Sequence, residues 1–147
     1  MKTSRKALAV LAAGAGIALA LTGCSTGDSK APAGDGELAG ASITVGSKEF
    51  TESHVLAQIT ALALENAGAK ITDQTGISGS ATVREALVSK EIDIYWVYTG
   101  TGWVNVLGNT TENLPADLHA AVAEADAANG IAWLEPANFE NTYRIAV

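Results

Sequence analysis

Four of the chain's eight aromatic residues (three Trp, three Tyr and two Phe) fall in nine consecutive positions, as Tyr95, Trp96, Tyr98 and Trp103. They border the hydroxyl-bearing run Thr99-Gly100-Thr101-Gly102. If Ile92–Tyr98 is a strand, these rings stand at its C-terminal end, where open α/β sheets bind ligands. Rings there suit an organic cation, with its charge over the ring faces and Thr99 and Thr101 holding its polar tail. The same residues also suit plain packing of a buried strand, in which Tyr and Trp are common. Two further motifs, Gly46-Ser47-Lys48 and Gly79-Ser80-Ala81, each precede a helical pattern. The unpaired N–H groups at a helix start favour an anion, so a small carboxylate could sit there with Lys48 or Ser80 assisting. Ordinary helix capping is the alternative.

Other chemistry finds little support. Gly79-Ser80 is not followed by the Gly-Lys-Ser/Thr of a phosphate-cradling loop. His54 and His119 each stand alone in helical stretches, and one cysteine excludes a multi-cysteine metal site or a disulfide framework. Glu112, Asp117, Glu124 and Asp126 read as a solvated helix face. No nucleophile is paired with a base, so the expectation is a non-enzymatic protein with no cofactor and no metal. From Cys24 onward 16 acidic residues face 6 basic ones, a net charge of −10 that would repel a phosphate backbone and argues against nucleic acid as a partner.

The elements that must position these groups alternate in type. Ser42–Val45 is a β-type run, and Thr51–Ala67 has helical spacing, with Val55, Leu56, Ile59, Leu62 and Ala63 on one face and Gly68 as a stop. Ala69–Thr72 is a second strand candidate, Thr82–Lys90 a short helix, and Ile92–Tyr98 a third strand apolar enough to be buried on both faces. Ala116–Asn129 follows as helix, closed by Gly130, and Ile131–Leu134 and Tyr143–Val147 are further strand candidates. The pattern predicts an α/β domain with a mainly parallel sheet over 41–147. Because the chain stops inside a β-type run, the expectation is a lobe cut short.

The first 40 residues have another character. Lys2, Arg5 and Lys6 precede an uncharged run, Ala7–Leu21, of signal-peptide length rather than membrane-spanning length. It ends in Leu21-Thr22-Gly23-Cys24, which resembles the bacterial lipobox, in which the cysteine is lipidated. On this reading residues 1–23 are a lipoprotein signal peptide, Cys24 carries the lipid anchor, and the mature protein sits on the extracytoplasmic face of a bacterial membrane. Residues 24–40, rich in Ser, Thr, Gly, Asp, Lys and Pro, read as a flexible tether.

Four motifs in order carry a family resemblance. Ile43-Thr44-Val45-Gly46-Ser47-Lys48-Glu49-Phe50-Thr51-Glu52 resembles the opening of the substrate-binding lipoproteins of osmoprotectant ABC importers. Gly79–Leu87, Asp93–Thr101 and Asn141-Thr142-Tyr143 resemble the family's following motifs; Val97 and Glu140 depart from it, standing where an acidic residue and Asn are expected. The resemblance implies a periplasmic-binding-protein fold of the second type, with this chain supplying one lobe and the second lobe largely missing. It implies a small quaternary ammonium ligand such as glycine betaine, choline or carnitine, and an ABC permease as the membrane partner. It places Tyr98 and Tyr143 in an aromatic cage, with Thr101 as a polar contact, Lys48 near the ligand's other end, and Ser80 and Thr99 as further contacts. The alternatives are a binding lipoprotein for an amino acid or a polyamine, or a lipoprotein that only packs on a partner.

Overall fold

The computed structural model describes residues 36–141. Cys24, the expected signal peptide, the expected strand Tyr143–Val147 and Tyr143 itself lie outside the described residues. Strand β1 (Ser42–Lys48) is followed by helix α1 (Thr51–Asn66), strand β2 (Lys70–Ile77) and helix α2 (Ser80–Val88). A short helix α3 (Thr99–Thr101) runs directly into a π-helical turn, Gly102–Val106, and helix α4 (Leu118–Ala127) comes last. The chain is α/β with a small parallel sheet: β1 pairs with β2 from Ser42 opposite Lys70 to Lys48 opposite Ile77, with an irregularity between Gly46 and Lys48. Ser47 marks that irregularity, its hydroxyl accepting from the Gly76 N–H at 2.9 Å.

Side chains alternate across β1, and the two faces meet different helices. Val45 packs with Ala57 and Ala61 of α1, joined by Ile43, Leu64, Ile71 and Ile94. Gly46 faces the other way, where a Cβ would lie 2.5 Å from Ile92 Cδ1. Ile92 in turn packs with Val83 and Ala86 of α2. A helix therefore covers each face of the sheet.

The face of α1 that meets the sheet differs from the expected one. Ser53, Ala57 and Ala61, spaced four apart, are its buried residues, whereas Val55, Ile59 and Leu62 are 51, 58 and 64% exposed. Small side chains let the helix lie close on the strands, which leaves the large apolar ones free to line other surfaces. The helix ends at Gly68, whose φ of +98° is the left-handed conformation of a helix-terminating glycine. There Gly68 N–H donates to the Glu65 carbonyl and Ala69 N–H to that of Leu64. Helix α2 closes with the same pair of bonds, but Lys90 occupies the left-handed position at φ +65°.

Two expected strands are not strands. Ile92–Tyr98 runs parallel to β1 only at Ile94, opposite Val45, where Gly46 N–H donates to the Ile94 carbonyl at 2.8 Å. At Thr44 the Asp93 carboxylate takes the backbone N–H at 2.7 Å. Beyond Ile94 the segment is tied to α1 by side chains instead of a ladder: Trp96 Nε1 donates to Thr60 Oγ1 at 2.8 Å, and Tyr98 OH to Glu52 Oε1 at 2.5 Å. Ile131–Leu134 is likewise held by side chains, through Trp133 Nε1 to Asp126 and His119 Nε2 to the Leu134 carbonyl.

Asp126 corrects the reading of a wholly solvated acidic face. It is fully buried, one helical turn after the equally buried Val122. Its carboxylate accepts both Arg84 Nη1 and Nη2 from α2, at 2.7 and 2.5 Å, and also Asn129 Nδ2 and Trp133 Nε1. Asp117 is a cap, accepting from the Ala120 N–H at 2.9 Å. Gly102 lets the π-helical turn approach this network, since a Cβ there would lie 2.6 Å from Trp133 Cη2 and 3.0 Å from Val122 Cγ1.

Candidate functional site

Between α1, the segment that follows Ile94, and residues 130–141 lies a cleft of about 1080 Å³. Helix α1 lines it with Leu56, Ile59 and Ala63, which lie outside the cluster packed on the sheet. Tyr95, Trp96 and Tyr98 line it from one side and Trp133 and Phe139 from another, with Phe50 at the start of α1. The Trp96 and Phe139 rings lie 6.3 Å apart, tilted by 32°. Trp96 and Phe139 are 36 and 49% exposed, so apolar ring surface is open to the cleft.

The expected site residues separate into two groups. Tyr98 and Thr99 line the cleft. Thr101, Lys48 and Ser80 are not among its lining residues; Thr101 ends α3, and Ser80 opens α2. Lys48 is only 5% exposed, with its Nζ 5.9 Å from the centroid of the cleft-lining Phe50 ring. Burial lowers the pKa of this amine, and the neighbouring Glu49 charge opposes the shift.

The substrate-binding domain of ABC-type glycine betaine transport systems matches residues 41–147. The chain belongs to that family. A glycine-betaine-binding protein of Pseudomonas aeruginosa is 39% identical over 106 residues, covering 71% of this chain and 33% of its own length. The glycine betaine-binding protein YehZ of Escherichia coli is 35% identical over 111 residues, with 35% of its length covered. An ergothioneine transport permease/ergothioneine binding protein, EgtU, of Helicobacter pylori is 30% identical over 106 residues, with 19% covered. The chain thus spans about a third or less of the length of these relatives.

Within this family member, one of the two helix starts considered as anion sites is already engaged. Glu49 Oε2 accepts from the Gly79 N–H at the start of α2, at 3.2 Å. Hydrogen bonds from its own and the Gly79 backbone lower the Glu49 pKa. Near the start of α1, Ser53 Oγ accepts from the Lys48 N–H at 3.0 Å. Of these two bonds only that of Glu49 engages a helix start; α1 has no side-chain cap.

Sequence reasoning singled out neither Glu52 nor the Trp96–Phe139 pair. Glu52 sits in the first turn of α1, where a carboxylate is favoured by the helix dipole. Its two oxygens accept from Tyr98 OH and from Asn141 Nδ2, the latter at 3.3 Å. Burial raises the Tyr98 pKa, and the bond to Glu52 raises it further, so the phenol stays protonated and donating. Rings of this kind, open to a cleft and edged by a carboxylate, are a surface on which an organic cation without N–H groups can be held.

Proposed function

We propose that this chain is part of the extracytoplasmic substrate-binding component of an ABC importer, with glycine betaine or a related quaternary ammonium compound as its ligand. The observation that carries this reading is the ring-lined cleft on which Trp96, Tyr98 and Phe139 converge. A trimethylammonium group cannot donate a hydrogen bond, so its recognition rests on ring faces and on exclusion of water. Each well-placed ring contributes about 0.5–2 kcal/mol, the larger value in a desolvated site. Membership of the family and the names of two relatives support the same ligand class. Ergothioneine, named for the third, carries a trimethylammonium group as well.

The finer assignments belong to the same proposal. The fold is that of one lobe of a periplasmic binding protein of the second type, with the cleft completed by a second lobe. Tyr98 and Tyr143 are the cage rings, Thr99 and Thr101 polar contacts, and Lys48 and Ser80 the groups toward the ligand's other end. The partner is an ABC permease in the membrane, and the protein is held beside it by lipid on Cys24.

Thermal unfolding with added ligand tests the ligand class. A ligand at a hundredfold its dissociation constant stabilises by about 2.7 kcal/mol through linkage. Glycine betaine, choline or ergothioneine should raise the melting temperature, while glycine and putrescine at the same concentration should not. Stabilisation by putrescine or glycine instead would favour the polyamine or amino acid reading. No response to any of them would favour a lipoprotein that only packs on a partner. The anchor is tested separately: Cys24→Ala should move the protein from the membrane fraction to the soluble fraction. Unchanged membrane retention, with no lipid on the wild type, would remove the anchor from the account.

A further inference from the structure

The carboxylate of Glu52 is not itself part of the cleft wall, yet it holds two residues that are. Tyr98 OH donates to Oε1 at 2.5 Å and Asn141 Nδ2 to Oε2 at 3.3 Å. These partners lie 46 and 89 positions away along the chain. One oxygen therefore ties the aromatic segment to α1, and the other ties the segment after α4 to the same helix. The tie matters most at Tyr98, because no strand ladder restrains that segment after Ile94. A fixed oxygen holds χ1 of the tyrosine, and because a phenol O–H prefers to lie in the ring plane, a fixed acceptor direction also favours one orientation of the ring face.

We propose that Glu52 is a positioning residue for ligand binding: through the Tyr98 hydroxyl it fixes the orientation of the ring face offered to the ligand. This rests on the reading of the cleft as a quaternary ammonium site. The charged acceptor makes a stronger bond than a neutral one would, and the position of Glu52 in the first turn of a 16-residue helix gives it a rigid base. Glu52 does not touch the ligand; its effect passes through Tyr98.

A double-mutant cycle decides this, with affinity for glycine betaine measured by calorimetry on the wild type, Glu52→Ala, Tyr98→Phe and the double variant. Glu52→Ala should weaken binding by about three- to tenfold. The double variant should bind no more weakly than Glu52→Ala alone, because the hydroxyl through which Glu52 acts is already gone. Glu52→Gln, whose amide oxygen still accepts from Tyr98, should recover binding to within about twofold of the wild type. If Glu52 served only the helix dipole, Gln would fail like Ala and the losses of the two single variants would multiply; either result overturns the proposal. The same cycle in thermal unfolding without ligand should show the two substitutions coupled, and additive effects there overturn it independently of any ligand. Absence of wild-type binding beside clear coupling in that ligand-free cycle would overturn the ligand class and, with it, the role in binding.

Discussion

Asp126→Ala is expected to cost about 3–5 kcal/mol of folding stability, the largest effect of any single substitution considered. The change leaves the Arg84 guanidinium, whose side chain is 13% exposed, without the carboxylate that takes two of its N–H groups. It also strips the Trp133 indole and the Asn129 amide of their acceptor. An unpaired buried charge is costly because its lost hydration is no longer offset. A domain of this size is stable by about 5–15 kcal/mol, so the loss is a large fraction of the total. At about 4–8 °C per kcal/mol, the melting temperature should fall by more than about 12 °C. Arg84→Met combined with Asp126→Leu should recover part of this, since an apolar pair removes the unpaired charge, while the Trp133 indole and the Asn129 amide still lack their acceptor. A melt of Asp126→Ala within about 2 °C of the wild type would show that the network carries little stability.

The pH dependence follows from the same group. Burial alone would push the Asp126 carboxyl up, but the hydrogen bonds from Arg84, Asn129 and Trp133, together with the Arg84 charge, outweigh it and hold the pKa below its usual value. The unfolded carboxyl titrates near about 3.9. With the folded value lower, the contribution is present above the unfolded pKa and is lost as pH falls through the folded one. Asp126→Asn should therefore be less stable than the wild type at neutral pH and lose less on acidification. Unfolding measured between neutral pH and about pH 3 reads this directly.

Tyr98→Ala is the second large expectation, about a tenfold or greater loss of affinity for glycine betaine or choline. Tenfold corresponds to about 1.4 kcal/mol, within what one ring over a desolvated cation contributes. Truncation also opens the cleft wall to water. Tyr98→Phe should cost less, because the ring survives and only the bond to Glu52 is lost. Tyr95→Phe should cost least. Tyr95 also lines the cleft, but it is packed against the Val83, Ala86 and Ile92 cluster, which restrains the ring whether or not the hydroxyl is present.

Much of the fold was legible because it rests on local signals. The helix expected at Thr51–Ala67 runs from Thr51 to Asn66 with Gly68 behind it, and those expected at 82–90 and 116–129 occupy 80–88 and 118–127. The first two strands are present, and longer than expected. What was not legible depends on contacts between distant residues. Ile92–Tyr98 has the composition of a buried strand, but beyond Ile94 side-chain bonds to Thr60 and Glu52 of α1 take the place of a ladder. The apolar face of α1 was found, yet its small-residue face is the one that meets the strands, and Leu56 and Ile59 of the expected face line the cleft instead. Asp126 looked like its solvated neighbours because nothing near it in sequence reveals Arg84, 42 positions earlier. Its phase with Val122 was the one local hint.

The central claim, that a quaternary ammonium group is held against the rings of this cleft, is tested most directly by saturation-transfer NMR. Irradiating the aromatic protons of the protein in the presence of excess glycine betaine should transfer saturation to the ligand's N-methyl protons. The transfer should exceed that to its methylene, and it should fall sharply in Tyr98→Ala. N-methyl signals that receive no saturation from a folded wild-type protein, or receive it equally in Tyr98→Ala, would contradict the account.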